Sequence, residues 1–544
     1  MAAPKKQSYL HGAAILAAGV VIIKILGAVY KIPLYNMIGD EGTAQFGVAY
    51  NIYSLLLTIS TAGLPIALSR MIAEADTLGR PRQVRRIFNV ALATFMVLGF
   101  VCSAVMFLFP NQLATIISGK DTAGKSILAL SPAVFFVCLI SAYRGYTQGH
   151  SNMIPTSISQ IIEVVCKLIF GLSLAYLAIK LGKGISMAAA GAIAGVSIGS
   201  IIAAVYLFIV TRPQLSERIP DSCTDTADPS GRICATLIKI GVPIALGSCL
   251  LNVINLVDTH QVIDRLQHAA GYSAQEADIL YGAYFKVQTL FNLPAAFIVP
   301  LTTSIIPAIA AYRTKGEYKS MALVSESSMR ITTLFALPMG VGLSVLSYPI
   351  VKVLYPTINS AGPGLLAIFG IAAYFVCFAQ MTTAILQASG HEKLSICIMP
   401  VGGIVKIAIN WVLIGNPKIG IYGATIGTLA CYVVMCLANV YFIMRLLPEK
   451  PKLFRVFIKP LAASIIMGAA AWAVYSLLHK MLPDRLLMLA GAMIAGVVVG
   501  IVIYAVLVIA LRAITLDDVG YLPKGEKIAK LLRLNGGGNG KLHS

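Results

Sequence analysis

Apolar stretches of about 20 residues or more make up most of the chain, and short polar connections separate them. A hydrocarbon core about 30 Å thick takes about 20 helical residues to cross, so each stretch predicts a membrane-spanning helix. Fourteen stretches reach that length. They cover residues 10–38, 44–69, 86–110, 126–148, 153–180, 184–211, 235–264, 278–312, 322–350, 363–388, 392–415, 419–445, 456–479 and 485–512.

This pattern excludes several other classes of protein. An outer-membrane barrel would show strands of about 10 residues with alternating polarity. The longest connection, residues 212–234, is too short for a soluble catalytic or nucleotide-binding domain. The chain is 58% hydrophobic and only 12% charged, whereas about a quarter of a soluble domain is charged. The sequence predicts an all-α polytopic membrane protein with about 14 transmembrane helices, and a transporter rather than an enzyme.

Basic residues are in large excess, with 42 Lys and Arg against 22 Asp and Glu and a formal charge of +20. In a membrane protein such residues collect at the cytoplasmic ends of helices. The side that carries both termini holds 26 of them, and the other side holds nine. We therefore predict a multi-pass protein with both termini in the cytoplasm and no nucleic-acid partner.

The chain also repeats itself weakly. Residues 46–69 align with residues 281–304, and a Gly-His pair at Gly149 recurs at Gly390 in the corresponding turn. Two six-span units in the same orientation are typical of transporters that hold their site between two lobes. The predicted organisation is an N-lobe at 1–211, a cytoplasmic linker at 212–234, a C-lobe at 235–446, spans 13 and 14 at 447–513, and a basic cytoplasmic tail at 514–544.

Seven cations fall inside predicted spans: Lys24, Lys31, Lys167, Lys239, Lys286, Arg330 and Lys406. Each costs about 2.5–3.5 kcal/mol near a bilayer centre, so those retained are expected to face water or an anion. Lys24, Lys31 and Lys286 are predicted to converge in the outer half of one cavity. Lys167 and Lys406 are further candidates for binding an anionic substrate.

Polar residues accompany these cations. Glu163 lies four residues before Lys167, which predicts either an intrahelical ion pair or a role in the cavity. Asp258 is predicted to pair with a lysine or to cap span 7. Asn51 and Arg144 complete the predicted polar lining. Ten isolated cysteines and no histidine at metal-ligand spacing lead us to expect no metal and no cofactor.

Several segments together resemble one known family. They are KILGAVYKIPLYNMIGDEG (24–42), AYNIYSLLLTISTAGLPIALSR (49–70), RGYTQGHSNMIPTSISQIIEVVCK (144–167), NLVDTHQVIDRL (255–266), GIVKIAINWVLI (403–414) and DDVGYLPKGEKI (517–528). The chain resembles the stage V sporulation protein B and YtgP branch of the multidrug/oligosaccharidyl-lipid/polysaccharide exporter superfamily. The resemblance implies two six-helix lobes in a V plus two C-terminal helices, and an alternating-access cavity for lipid-linked sugars in the bacterial plasma membrane.

The MurJ-type flippases of this superfamily have functional cavity arginines in spans 1, 2 and 8. Local matching places Lys24 at the first span-1 arginine and Lys286 at the span-8 arginine. The second span-1 arginine falls on Tyr30, beside Lys31. The span-2 arginine pair falls within residues 51–56, which contain no cation.

These observations favour a flippase for an undecaprenyl-pyrophosphate-linked cell-wall or polysaccharide intermediate, with lipid II as the first candidate. We expect a monomer whose partners are the lipid-linked substrate and membrane lipids. A cation-coupled multidrug antiporter of the same superfamily is the alternative, although it should offer membrane carboxylates where span 1 offers lysines. A membrane glycosyltransferase would need catalytic acids on an outer loop. Asp40 and Glu41 form the one tempting pair, and we predict that they are solvated in a short turn.

Overall fold

The computed structural model describes residues 9–216, 225–481, 483, 485–511 and 513, with the backbone alone at some positions. These residues form seventeen α-helices, one π-helical turn and no strand. The helices are α1 (Tyr9–Thr58), α2 (Leu64–Thr77), α3 (Pro81–Leu108), α4 (Pro110–Ser118), α5 (Gly124–Gly149), α6 (Ile154–Lys180), α7 (Ile185–Ser216), α8 (Ser230–His268), α9 (Ala274–Phe291), α10 (Leu293–Thr314), α11 (Tyr318–Val345), α12 (Ser347–Leu354), α13 (Gly362–Ala388), α14 (Glu392–Ile414), α15 (Tyr422–Leu446), α16 (Leu453–Met481) and α17 (Leu486–Ala510). The predicted tail at 514–544 lies outside the described residues.

The predicted all-α membrane architecture is confirmed. Eleven helices in the described ranges are long and apolar enough to cross a bilayer: α3, α5 to α8, α11 and α13 to α17. Predicted span 8 is divided into α9 and α10 on either side of Asn292. Predicted spans 1 and 2 are joined within α1, and the second continues through a π-helical turn at Ile59–Gly63 into α2.

A single residue separates the two spans that α1 contains. Gly39 has φ 69° and ψ −170°, a conformation that a residue without Cβ adopts readily. The chain changes direction there without a loop. Asp40 and Glu41 follow the break directly, so they lie at a kink between two helical segments.

The described chain divides into two compact units, Met1–Lys286 and Val287–Ser544. In the first unit, Leu68, Phe88, Phe95 and Tyr143 belong to one buried core that α2, α3 and α5 build. In the second unit, Phe369 is fully buried. The predicted lobe boundaries stay a prediction.

Helices α6 and α7 pack closely because small residues line their contact. A Cβ added at Gly195 would lie 2.4 Å from the backbone nitrogen of Gly171, which leaves no room for a side chain. Such small-residue contacts let membrane helices approach at backbone distance. Helix α6 also packs against α1, and the candidate site lies at that contact.

Candidate functional site

Two lysines lie close to one tyrosine ring in the first unit. Lys167 Nζ lies 4.7 Å from the centre of the Tyr50 ring, and Lys31 Nζ lies 5.8 Å from the same centre. The negative face of an aromatic ring attracts an ammonium group at these distances. Lys31 also lies 5.8 Å from the ring centre of Phe285. The structure therefore brings Lys31 and Lys167 together, although they come from different helices and the sequence did not connect them.

Tyr30 fixes the other side of Lys167. Its ring centre is 4.9 Å from Lys167 Nζ, and its hydroxyl donates a hydrogen bond of 3.0 Å to the carbonyl of Ala192 in α7. Tyr30 is fully buried, so its ring is held by packing as well as by this bond. Lys167 occurs about 20 Å along α6 from its start, at 1.5 Å per residue, well inside a membrane-spanning helix.

Glu163 has a different partner from the predicted one. Its Oε2 accepts a 2.5 Å contact from Arg144 Nη2, and Arg144 Nε donates to Ser159 Oγ at 2.9 Å. The predicted intrahelical pair between Glu163 and Lys167 is therefore wrong, because α5 supplies a guanidinium that reaches the carboxylate first. The ammonium group of Lys167 lies over two tyrosine rings, and it forms no direct ion pair with Glu163 among the residues that the structure describes.

Lys286 is joined to Asp40. The distance from Lys286 Nζ to Asp40 Oδ1 is 2.7 Å, and the two side chains are 0% and 7% exposed. In this structure the ammonium group of Lys286 faces an acid rather than an open site, which corrects the expectation that it presents its charge to a ligand. The expectation that Asp40 is solvated is also wrong, because the kink at Gly39 turns its carboxylate into the helix packing.

Uncharged polar groups line the part of α1 at residues 51–56, which contain no cation. Asn51 Nδ2 donates to Thr259 Oγ1 at 2.9 Å and to the Tyr281 hydroxyl at 3.2 Å. Further along α1, Ser54 Oγ donates to Asn252 Oδ1 at 2.9 Å. Hydrogen bonds of this kind hold membrane helices together. The structure thus assigns Asn51 to the contact of α1 with α8 and α9.

Three more residues were predicted at the site: Asp258, Lys406 and Lys24. Asp258 is 4% exposed, and its Oδ2 accepts a hydrogen bond of 3.2 Å from the Tyr284 hydroxyl. Lys406 is 5% exposed in α14 of the second unit. The side chain of Lys24 lies outside the described residues.

The arrangement around Tyr50 suits the binding of an anion rather than catalysis. Tyr50, Lys31 and Lys167 are each partly exposed, so a ligand can approach them. Lysine binds phosphate as a compact point charge, and a site of reduced dielectric strengthens that attraction. Sequence reasoning missed the role of Tyr50 and Asp40; the signal for Asp40 was the need of a buried lysine for a counter-charge.

Comparison with known proteins places these features in a family. Residues 9–313 match the family described as polysaccharide biosynthesis protein. The chain is 27% identical over 477 residues to the lipid II flippase MurJ of Bacillus subtilis (strain 168), which covers 85% of this chain and 87% of that protein. It is 26% identical to stage V sporulation protein B of the same organism, over 86% of this chain and 90% of the relative.

Solved structures of two kinds share the fold. A structure of the lipid II flippase MurJ in an inward closed conformation matches with a TM-score of 0.68 at 16% identity, covering 92% of this chain and all of that one (100%). An inward-facing multidrug resistance MATE family transporter of the MOP superfamily matches with a TM-score of 0.65 at 14% identity, covering 80% and 98%. Identities this low establish the fold and leave the cargo to the chemistry of the site.

Proposed function

This chain belongs to the polysaccharide biosynthesis protein family, and from that premise we propose that it is a flippase for an undecaprenyl-pyrophosphate-linked cell-wall intermediate. Lipid II is the cargo that we propose, because the relative in Bacillus subtilis bears the name lipid II flippase. The protein makes and breaks no bond in this proposal. It carries the phosphorylated head group across the bacterial plasma membrane by alternating access while the prenyl chain stays in lipid.

The pair of lysines close to the Tyr50 ring carries the proposal. A pyrophosphate bears adjacent negative groups, and Lys31 and Lys167 offer two ammonium groups beside one ring. While no ligand is bound, the aromatic faces stabilise these charges by about 0.5–2 kcal/mol each. A phosphate oxygen offers a stronger, charge-assisted hydrogen bond, so the lysines can move from the ring to the ligand.

Lys167 also accounts for the missing arginine of span 1. The position that is an arginine in the resembled flippases is Tyr30 here, and Lys167 from α6 lies over the ring of that tyrosine. We propose that α6 supplies the positive charge that α1 lacks. In this proposal the site carries the same positive charge as in the resembled flippases, but a residue of α6 provides it instead of a residue of α1.

Lys286 enters the proposal through its ion pair. Asp40 holds the ammonium group at 2.7 Å in this structure. A second state of the transport cycle in which this pair separates would add a third cation for the head group. The ion pair then acts as a conformational switch, and Lys286 binds cargo only in the open state of the pair.

A drug antiporter of the MATE type is the second candidate, because such a transporter shares the fold. Its cation coupling would need membrane carboxylates that can exchange protons or Na⁺. In the first unit Glu163 is joined to Arg144 and Asp40 to Lys286. Because each of these carboxylates already forms an ion pair with a basic side chain, neither is open to exchange coupling ions. This favours the flippase.

The test is complementation in a bacterial strain from which the other lipid II flippases are depleted. Survival and the fraction of lipid II cleaved by an added membrane-impermeant enzyme report on flipping. Wild type should restore both. Lys31→Ala and Lys167→Ala should each lower the flipping rate about tenfold or more, since a hydrogen bond to a charged group is worth about 1.5–3 kcal/mol. Lys31→Arg and Lys167→Arg, which keep the charge, should retain part of the activity.

Lys180→Ala is the matched control, because Lys180 is an exposed lysine at the end of the same α6 helix. Rescue that survives Lys31→Ala and Lys167→Ala together, at normal expression, would reject the anion site. Failure of well-expressed wild type to rescue would reject lipid II as cargo. A gain in drug resistance without any flipping would assign the protein to the antiporters.

A further inference from the structure

A basic pocket lies at the start of α3, away from Tyr50 and its lysines. It has a volume of about 860 Å³ and lies between the first turns of α3 and the first turn of α8. Its lining residues are Arg82, Arg85, Arg86, Asn89, Val90, Ala93, Thr94, Ala227, Ser230, Gly231 and Cys234. No step of the proposed flipping mechanism uses these residues.

The positive charge of this pocket is concentrated and available. Arg82, Arg85 and Arg86 are all exposed, and none of the three forms an ion pair with a residue that the structure describes. Arg86 Nη2 donates to Ser230 Oγ at 3.1 Å, which keeps one guanidinium at the pocket wall. The first turn of α8 forms that wall, and the positive end of a helix dipole favours a bound anion.

The nearby acids that the structure describes, Asp225 and Asp228, already accept hydrogen bonds from other groups. Asp225 accepts hydrogen bonds from Arg80 Nε and the Gln83 backbone N–H, both at 2.9 Å. Asp228 accepts from Gln83 Nε2 at 2.9 Å, and its own N–H donates back to Gln83 Oε1 at 2.7 Å. These bonds dock residues 225–228 onto the start of α3. Hydrogen bonds therefore fix this wall of the pocket. Asp225 and Asp228 are engaged in these bonds and do not neutralise the pocket arginines.

The face of α3 that begins with these arginines becomes apolar further along the helix. Positions spaced by three or four residues share one face, and Arg86 is followed on this face by Val90, Ala93, Val97 and Val101. Val97 and Val101 are 65% and 53% exposed. The distance along the helix from Arg86 to Val101 is about 22 Å, which exceeds the half-thickness of a hydrocarbon core, about 15 Å.

We propose that this pocket binds the phosphate of an anionic glycerophospholipid, whose acyl chains lie along the apolar face of α3. Arginine recognises phosphate with two parallel hydrogen bonds, and basic pockets between membrane helices bind anionic lipid head groups. The apolar continuation of the face favours a lipid over a soluble phosphate. The positive-inside pattern predicts that the lipid belongs to the cytoplasmic leaflet.

The test is lipid binding to the purified full-length protein in detergent, followed by native mass spectrometry. The probes are phosphatidylglycerol, zwitterionic phosphatidylcholine, glycerol phosphate without acyl chains, and undecaprenyl phosphate. Phosphatidylglycerol should bind most tightly. The double variant Arg85→Gln/Arg86→Gln should weaken binding of phosphatidylglycerol about 30-fold. This factor follows because each basic residue near the membrane surface contributes about 1 kcal/mol.

Gly231→Leu gives an independent variant that keeps every arginine. No described atom lies within 4 Å of a Cβ added at Gly231, a lining residue, so there is open space at this position for a new side chain to begin. It should weaken phosphatidylglycerol binding while the melting temperature is unchanged. Arg232→Gln is the matched control, because Arg232 is an exposed neighbour in the same helix turn outside the lining.

Cys234 offers a second readout at the pocket itself. Its alkylation, followed by peptide mass spectrometry, should slow severalfold when phosphatidylglycerol is added, while alkylation of the exposed Cys397 stays constant. Equal phosphatidylglycerol binding in wild type and in both pocket variants would overturn the proposal. Equal binding of glycerol phosphate would assign the pocket to a soluble phosphate, and tighter binding of undecaprenyl phosphate would assign it to the cargo; either result rejects the glycerophospholipid.

Discussion

Asp40 and Lys286 form an ion pair of 2.7 Å that water hardly reaches, with 7% and 0% of their side chains exposed. Asp40 follows the kink in α1, and Lys286 lies in α9. A buried charge without its counter-charge is costly, so each residue explains why the other is tolerated inside the helix packing.

Removing one member of this pair should destabilise the protein more than removing the charge from both. Lys286→Ala leaves a buried carboxylate and should cost about 3–5 kcal/mol of unfolding free energy. Asp40→Asn combined with Lys286→Gln keeps two polar groups and should recover much of that loss. Thermal unfolding of the detergent-purified variants gives the comparison. A double variant as unstable as Lys286→Ala alone would contradict the coupling of the two side chains.

The approach of α9 to the kink should make Gly282 sensitive to substitution. A Cβ at Gly282 would lie 1.9 Å from the carbonyl oxygen of Asp40, which is backbone and cannot rotate away. Gly282→Ala should therefore destabilise the protein by about 1–3 kcal/mol or more through overpacking. Gly247→Ala is the control, because no atom lies within 4 Å of its added Cβ. That substitution in α8 should be neutral or stabilising by up to about 1 kcal/mol.

The membrane helices could be predicted from sequence because their signal is local. The length of an apolar run can be read directly from the sequence. Predicted span 10 at 363–388, for example, agrees with α13 at Gly362–Ala388. The break between spans 1 and 2 was predicted as a short turn, and the structure has a kink at Gly39. Apolar length locates a span but does not distinguish a turn from a kinked helix.

The partners of the charged residues could not be predicted, because they come from other helices. The spacing of Glu163 and Lys167 predicted a pair within one helix, yet Arg144 of α5 takes the carboxylate. Lys31 and Lys167 share the ring of Tyr50, which no spacing rule connects with either. The types of residue at the site were predictable, whereas their pairing depends on how the helices pack.

The docking of residues 225–228 onto α3 should weaken at low pH. Burial alone would raise the pKa of Asp225, but hydrogen bonds from the Gln83 N–H and from Arg80 outweigh it and hold the pKa below its usual value. A depressed pKa means that the ionised form stabilises the docked state. This stabilisation is present above about pH 3.9 and is lost as the pH falls through the lowered pKa.

Protection of the backbone amides at residues 225–234 against hydrogen exchange, corrected for the intrinsic exchange rate at each pH, should therefore fall at pH values below about 3.9. In Asp225→Asn this acid step should be absent, and exchange there should already be faster at neutral pH. Glu74→Gln is a control, because its carboxylate pairs with Arg70 on the surface of α2, away from this contact. An acid step of unchanged size in Asp225→Asn would assign the pH dependence to another group.

Arg144 and Lys167 are both close enough in the chain packing to compete for Glu163, so a second substitution should reverse the effect of removing Arg144. Arg144→Gln removes the guanidinium from Glu163, whose carboxylate lies one helical turn from Lys167. The freed carboxylate should then pair with Lys167, as oppositely charged residues at this spacing do. The anion site loses charge, and flipping should fall about as far as it does in Lys167→Ala. Adding Glu163→Gln to Arg144→Gln removes the competing acid and should restore flipping. A double variant as inactive as Arg144→Gln alone, with normal expression, would show that Arg144 is required for some other reason and that Lys167 is not the residue it protects.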